Sequence, residues 1–132
     1  MYFHGSSIGN PGRAGAGAVI YYKGNEIWKQ FIYVGDNQTN NYAEYTALIL
    51  GLSGALHLNI SNERLSVFGD SGLVINKLNG KYKVNSKILS IMHDRTIEYV
   101  NQFKNVTFHH TSSSENTRAK ELAEDAISFG YY

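Results

Sequence analysis

The stretch RLSVFGDSGLVINKLNG, residues 64–80, decides the fold of this chain. Its first part is a short apolar run that predicts a buried β-strand, and this strand ends at Asp70. The part that follows predicts a short helix, for which Ser71 can accept backbone N–H bonds as the N-cap. A helix precedes the strand, and a parallel strand reached through a helix implies a right-handed crossover. These residues therefore indicate an α/β fold in which a carboxylate lies at a strand end.

A second segment, TNNYAEY at Thr39–Tyr45, begins the helix that precedes this strand. Thr39 or Asn40 can cap the first turn, which places Glu44 near the helix start. Apolar residues at helical spacing, with few charges between them, predict that the helix over 41–58 is buried on most of its surface. The sequence thus places one carboxylate at a helix start and another at a strand end.

The N-terminal third of the chain alternates between apolar and polar residues as β-strands do. A first strand contains Tyr2 and Phe3 and leads into a turn-rich loop at Gly9–Gly12. Two further strands, 16–22 and 26–34, flank a short hairpin connection. These segments predict a three-stranded antiparallel meander, and small residues in the second strand suggest that another element packs closely on it.

The C-terminal half predicts two more helices and one strand. Ser86 can cap the first helix, and 106–110 is the strand. The last helix is predicted over Thr117–Phe129. The apolar stripe expected on the first of these helices consists of Ile88, Ile91, Met92, Tyr99, Val100 and Phe103. The result is one domain, residues 1–132, built from a mixed sheet with helices on both faces.

Composition restricts the function classes. The 132 residues are 42% hydrophobic, which suffices for one domain without disulfides or a structural metal. The absence of cysteine excludes disulfides, thiolate zinc sites and cysteine nucleophiles. A formal net charge of +1 means that any nucleic-acid affinity must come from local clusters of charge. Without a signal peptide or an apolar run of roughly 18 to 20 residues, the chain is expected to be soluble, intracellular and without a membrane partner.

Four motifs occur in order along the chain: GSSIGNPGRAGAGAV, TNNYAEY, GDSGLVINKLNGKYKV and HTSSSENTRAKELA. Together with the predicted element order, they resemble the ribonuclease H type 1 family, nearest its short archaeal and bacterial members, over essentially the whole chain. The resemblance implies a ribonuclease H-like fold, with a five-stranded mixed sheet in the strand order 3-2-1-4-5. The basic handle insertion of some family members is missing from this sequence.

The resemblance also implies a catalytic site, but two of its positions are substituted. Active family members cleave RNA in RNA/DNA hybrids with two Mg²⁺ ions, which four acidic side chains hold. Glu44 and Asp70 match two of these positions. His4 stands where the family has its first aspartate, and Lys120 stands where it has its last. With His4 neutral, the four side chains carry a charge of about −1 instead of about −4, so two divalent ions would not bind readily.

Two arrangements of this site are compatible with its residue types. Lys120 could neutralise Asp70 or Glu44, and we expect such an ion pair with no Mg²⁺ between His4 and Asp70. Alternatively, His4 could bind Zn²⁺ or Mn²⁺ with the two carboxylates, because imidazole suits transition metals better than Mg²⁺. We expect no cofactor, with Mg²⁺ or Mn²⁺ held by Glu44 and Asp70 only if activity remains.

Candidate nucleic-acid-binding residues lie in loops and at the helix start. By resemblance, four of them match positions where the family contacts the minor groove and its 2′-hydroxyls: Asn10, Thr39, Asn40 and Asn41. The only dense basic segment of the sequence could contact phosphates, with Lys81 and Lys83 as its candidates. A solvated surface without a function explains the same lysines equally well.

One histidine and two serines extend the comparison with the family. His110 is near the family's loop histidine, which can assist product release, although a histidine at a strand end can also be exposed without a role. Ser112 and Ser113 stand where the closest relatives often have proline and arginine. We therefore expect that one further substrate contact is lost.

Three functions are compatible with these residues. The leading hypothesis is a ribonuclease H-like domain that has lost two-metal hydrolysis and binds an RNA/DNA hybrid or RNA duplex weakly, or serves in an assembly with a protein partner. The second is an active hybrid-specific endoribonuclease with altered metal ligands. The third is a structural subunit of a ribonucleoprotein or polymerase. The basic segment favours binding over a purely structural role.

Overall fold

The computed structural model describes residues 1–80, 83–84 and 86–130. Within them the chain forms five strands and four α-helices, with one 3₁₀ turn at Ser113–Glu115. The strands are β1 (Tyr2–Ile8), β2 (Gly12–Tyr22), β3 (Asn25–Gln38), β4 (Arg64–Gly69) and β5 (Asn105–His110). The helices are α1 (Asn40–His57), α2 (Gly72–Leu78), α3 (Lys87–Val100) and α4 (Thr117–Phe129).

The five strands form one mixed sheet in the order β3-β2-β1-β4-β5. β1, β2 and β3 make the antiparallel meander, while β4 pairs in parallel with β1 and β5. The strand order and the mixed sheet are confirmed. Phe3 on β1 lies opposite Gly69, the last residue of β4, so the residues that follow them, His4 and Asp70, are neighbours where β4 ends.

The start of α1 packs against β1 at a position that only glycine can occupy. A Cβ on Gly5 would lie 2.0 Å from the backbone carbonyl carbon of Ala43 and 2.2 Å from the backbone nitrogen of Glu44. The two backbones therefore approach more closely than any side chain would permit. This contact places Glu44 beside His4. The later buried residues of α1 belong to the hydrophobic core, which lies between this helix and the sheet.

The final helix α4 covers the opposite face of the meander. A Cβ on Gly17 of β2 would lie 2.5 Å from Leu122 Cβ and 2.8 Å from the Ala119 carbonyl oxygen. The close approach expected from the small residues of β2 is thus confirmed, and its partner is α4. Lys120 belongs to α4 and therefore lies on this opposite face of the meander.

The apolar stripe predicted for α3 is partly wrong. Ile88 and Ile91 are 61% and 53% exposed. The residues that pack against the core are instead Leu89, Met92, Tyr99 and Val100, with Thr96 fully buried among them. This stripe is rotated by about 100° from Ile88, the angle between adjacent helical residues, because α3 packs mainly on α1 among the described elements. Phe103 is buried as expected, but it lies beyond the helix end.

Predicted helix caps are confirmed at three helices. Side-chain hydroxyls of Thr39, Ser71 and Ser86 accept backbone N–H bonds at the starts of α1, α2 and α3. Over the described residues, none of the helices combines the length and the apolar character required for a membrane span.

Candidate functional site

Three side chains from three different elements meet where β4 ends beside β1. His4 comes from β1, Glu44 from the first turns of α1, and Asp70 directly follows β4. Nδ1 of His4 lies 3.0 Å from Asp70 Oδ1 and 3.4 Å from Glu44 Oε1. With its proton on Nδ1, the imidazole donates a hydrogen bond to Asp70. The ring thus occupies the space between the two carboxylates.

Glu44 is the most buried member of this cluster, with a side chain 6% exposed. Burial, followed by the charge of Asp70, raises the pKa of Glu44 well above its ordinary value, although the Gly5 amide acts in the opposite direction. One of its carboxylate oxygens, Oε2, is buried without a hydrogen-bond partner. Such an oxygen is costly in the interior unless it finds a proton or a cation.

Asp70 is held in its charged form by several neighbours. Burial alone would raise the pKa of Asp70, but the hydrogen bond and charge of His4, together with two weaker contributions, outweigh burial and lower this pKa. Asn116 and the positive charge of Lys120 act in the same direction. Asn116 is 1% exposed, and its amide also donates to the Phe3 carbonyl at 2.9 Å. It therefore connects the start of α4 to the strand that carries His4.

Lys120 does not make the ion pair expected from the sequence. Its ammonium donates a hydrogen bond to Ser113 Oγ at 2.7 Å. Within the described part of the chain, no ion pair joins it to Glu44 or Asp70, so the predicted contact is wrong. The partner of both carboxylates is His4, because β1 and β4 are adjacent strands and α1 packs directly on β1.

The two Mg²⁺ ions implied by the family resemblance do not fit this set of side chains. Mg²⁺ requires oxygen ligands in near-octahedral geometry, and the cluster supplies only two carboxylates. An imidazole nitrogen lies where a further acid would be, and the charge of Lys120 already acts on Asp70. We therefore assign no reaction step to a magnesium pair.

Polar residues beside the cluster form a network between β1, the loop after it and α1. Asn10 Oδ1 accepts a bond from the Asn40 backbone at 2.9 Å, and Asn40 Oδ1 accepts one from the Ser7 backbone at 2.7 Å. Both carbonyl oxygens are thereby used, which leaves the amide NH₂ groups of Asn10 and Asn40 as donors. Thr39 Oγ1 caps α1 by accepting from Tyr42 at 3.1 Å. Three of the predicted binding residues, Asn10, Thr39 and Asn40, are thus brought together. Their hydrogen bonds also hold the loop after β1 and the start of α1 in place.

Two open cavities lie along this network. The first, of about 330 Å³, is lined by His4, Gly5, Ser6, Asn40, Asn41, Glu44, Asp70 and Ser71. The second, of about 480 Å³, is lined by Asn10, Pro11, Asn37, Gln38, Thr39, Asn41, Tyr42, Ser86, Ile88 and Leu89. Asn41 lines both cavities. Asn41 therefore links the polar cavity at the carboxylate cluster to a mixed polar and apolar cavity at the start of α3.

Two of the remaining predicted site residues, His110 and Lys83, line neither of these cavities. His110 ends β5 opposite Gly69 and is exposed, and it is not a member of the acidic cluster. Lys83 is exposed, whereas Lys81 lies outside the described residues. Sequence reasoning missed Asn116, whose only signal was an amide side chain directly before the last helix.

Comparison with known proteins places this geometry in a family. Residues 3–126 match the family model described as "Reverse transcriptase-like". The structure of ribonuclease H1 from Halobacterium salinarum superposes with a TM-score of 0.89 and 33% identity, covering 96% of this chain and 95% of that one. LC11-RNase H1, solved in complex with an RNA/DNA hybrid, superposes with a TM-score of 0.93 and 32% identity, covering 99% and 97% of the two chains.

The chain belongs to the ribonuclease H family. Among curated relatives, the "Bifunctional protein Rv2228c" of Mycobacterium tuberculosis is 35% identical over 127 residues, which are 93% of this chain and 34% of that protein. The "Ribonuclease HI" of Halobacterium salinarum is 34% identical over 126 residues, which are 96% of this chain and 62% of that protein. This ribonuclease H-like chain thus spans about a third of the length of the first curated relatives that it matches.

Proposed function

We propose that this ribonuclease H-like domain binds RNA-containing duplexes and does not hydrolyse them by the two-metal route. The observation that carries the proposal is the position of His4 Nδ1, 3.0 Å from Asp70 and 3.4 Å from Glu44. An imidazole between the two carboxylates takes the place of an oxygen ligand. A protein partner in a larger assembly is compatible with the same role.

The binding part of the proposal is supported by the amide surface. Within the described part of the chain, the NH₂ groups of Asn10 and Asn40 have no hydrogen-bond partner while their carbonyl oxygens are fixed, so the donors are held in defined positions. Donors of this kind can contact 2′-hydroxyls and base edges in a minor groove, which distinguish RNA from DNA. The related LC11-RNase H1 was solved with an RNA/DNA hybrid. None of these amides depends on a metal ion.

The first test is a cleavage assay with an RNA/DNA hybrid in Mg²⁺. We expect no hydrolysis above background by the wild-type chain. The double variant His4→Asp/Lys120→Asp reinstates both acids and should gain activity, whereas Lys104→Asp, at the opposite end of the sheet, should not. Wild-type cleavage that disappears in Asp70→Asn would contradict the loss of hydrolysis and favour an endoribonuclease with altered metal ligands.

The second test measures binding by fluorescence anisotropy at low salt, with hybrid, double-stranded RNA and double-stranded DNA of one sequence. Asn41 is the sharpest probe because it lines both cavities, whereas Asn40 also holds the Ser7 amide. Asn41→Ala should reduce the preference for 2′-hydroxyl strands, and Asn62→Ala, an exposed residue before β4, should not.

Phosphate contacts are separated from base and sugar contacts by salt dependence. Lys83→Ala should lower the slope of log affinity against log salt by about 1 for every duplex, while Lys104→Ala should leave it unchanged. Equal and negligible affinity of the wild-type chain for all three duplexes would refute the binding function. It would favour a purely structural subunit of a larger assembly.

A further inference from the structure

We propose that the sheet face opposite α1 binds single-stranded nucleic acid by stacking its unpaired bases. The residues that carry this function form an aromatic row from four strands: Tyr21 on β2, Tyr2 on β1, Phe68 on β4 and His109 on β5. None of them lines either cavity beside the amide network. The proposal therefore concerns a second surface and does not depend on duplex binding.

The four rings of the aromatic row contact one another in order across the sheet. Tyr2 stacks on Phe68 with ring centroids 4.9 Å apart, and Phe68 stacks on His109 at 5.1 Å. Tyr21 contacts Tyr2 edge to face at 5.9 Å. Neighbouring strands lie about 4.8 Å apart, so rings at these spacings stand side by side above the sheet.

The aromatic row lies on a face that α4 covers only in part. Leu65, Val67 and Gly69 of β4 are buried, so the alternation along this strand points Phe68 away from the core. Among the described elements, α4 packs mainly on β1, β2 and β3, and β4 and β5 lie beyond it in the sheet. His109 is accordingly exposed.

The stack is open at the His109 end. β5 is the last strand of the sheet, so no further strand lies beside this imidazole. Over the described residues, its side-chain contacts are the Phe68 ring and the Thr107 hydroxyl, which is 2.8 Å from Nε2. Another planar ring can therefore extend the stack, and every nucleobase provides such a ring.

At its other end the row borders a cavity of about 350 Å³. Tyr2 and Tyr21 line this cavity together with Asn116 and Arg118, from the start of α4. A cavity of this size can hold a small planar ligand such as a nucleobase. Arg118 is held by an ion pair with Glu26 and offers a planar guanidinium, on which bases also stack. The row thus provides a position for a base at each end.

Charge favours a nucleic acid as the occupant of this face. Neither β4 nor β5 contains an acidic residue, and Asp70, which follows β4, is paired with His4. A polyanion therefore meets little repulsion beside the row. Hydroxyl, amide and guanidinium groups can donate to phosphate oxygens. Such groups occupy the other outward positions of the two strands: Arg64, Ser66, Asn105 and Thr107.

The test is an anisotropy titration of the wild-type chain at low salt with labelled single strands of about six nucleotides. Oligothymidylate and oligouridylate should bind alike, because the row contacts rings. An abasic strand of the same length should bind at least about fivefold more weakly. His109→Ala should lower the affinity at least about fivefold, whereas His109→Phe, which keeps a stacking ring, should not. The matched control is His57→Ala, an exposed histidine at the end of α1, which should change nothing.

An NMR readout needs no variant. Oligothymidylate should shift the ring signals of His109 and Tyr2, and it should leave those of Trp28, which packs on Gly54 of α1, in place. A blunt RNA/DNA hybrid should not shift the His109 signals, which separates this face from the amide network.

Four results would overturn the proposal. They are the absence of saturable single-strand binding, equal affinity for the abasic strand, unchanged affinity in His109→Ala, and a His109→Phe protein that binds as weakly as His109→Ala. Shifts of the His109 signals that are as large with the blunt hybrid as with the single strand would assign this face to duplexes and refute the proposal as well.

Discussion

Replacing His4 with alanine should destabilise the metal-free fold by about 3 kcal/mol at pH 8. The substitution removes the only side chain that contacts both carboxylates of the cluster within the described residues. Glu44 and Asp70 would then face each other without a positive or donating group between them. Their side chains are 6% and 9% exposed, so water can replace the imidazole only in part.

The magnitude is taken from the repulsion between the two carboxylates, which the contacts of His4 offset in the wild type. One carboxylate oxygen of Glu44 and one of Asp70 lie within 4.8 Å of each other. At an effective dielectric constant of about 20, two like charges at this distance repel by roughly 3 kcal/mol. Loss of the hydrogen bond to the charged Asp70 adds to this value, while the charge of Lys120 and the amide of Asn116 offset part of it.

The pH dependence has a definite sign. Burial, and then the charge of Asp70, already raise the pKa of Glu44 well above its ordinary value in the wild type. A carboxyl group with a raised pKa contributes stability below its unfolded pKa, and this contribution is lost as pH rises through the folded value. Removal of His4 should raise the pKa of Glu44 further. The stability difference between wild type and variant should therefore widen between about pH 5 and pH 8.

The assay is urea denaturation followed by circular dichroism, in EDTA, at pH 5 and pH 8. His110→Ala is the matched control because it removes an exposed histidine outside the cluster. The double variant His4→Ala/Glu44→Gln removes one of the opposed charges and should recover much of the loss at pH 8. A loss that is equal at both pH values, with no recovery in the double variant, would refute the electrostatic reasoning.

Three further predictions concern the scaffold. Gly17→Ala should destabilise by about 2 kcal/mol in urea denaturation because its Cβ would collide with α4, whereas Gly72→Ala, which has ordinary contact distance around its Cβ, should be close to neutral. Burial raises the pKa of Tyr45, which hydrogen-bonds to His93, to about 12, so the wild type should lose stability relative to Tyr45→Phe as pH rises from 10 to 12. Arg118→Ala breaks only partly exposed ion pairs and should cost at most about 1 kcal/mol, and a larger loss would contradict this view of the surface.

The sequence by itself determined the architecture of this protein. Alternating residues at the N-terminus, hydroxyl caps before the helices and a strand ending at Asp70 carry local information about turns and helix starts. Four motifs in order resemble the ribonuclease H family, and this resemblance implied the strand order and the grouping of His4, Glu44 and Asp70 in one site. The turns, caps and strand ends are readable from the residues themselves because each depends on neighbours close in sequence.

Only the tertiary structure decided which side chains contact each other. Lys120 was expected to neutralise a carboxylate, but it bonds to Ser113, and His4 holds both Asp70 and Glu44 instead. The rotation of the stripe on α3 and the role of Asn116 were likewise unreadable from residue types. Contacts of this kind depend on how closely two backbones approach, as at Gly5, and small changes in that approach redirect a long side chain while leaving the fold unchanged.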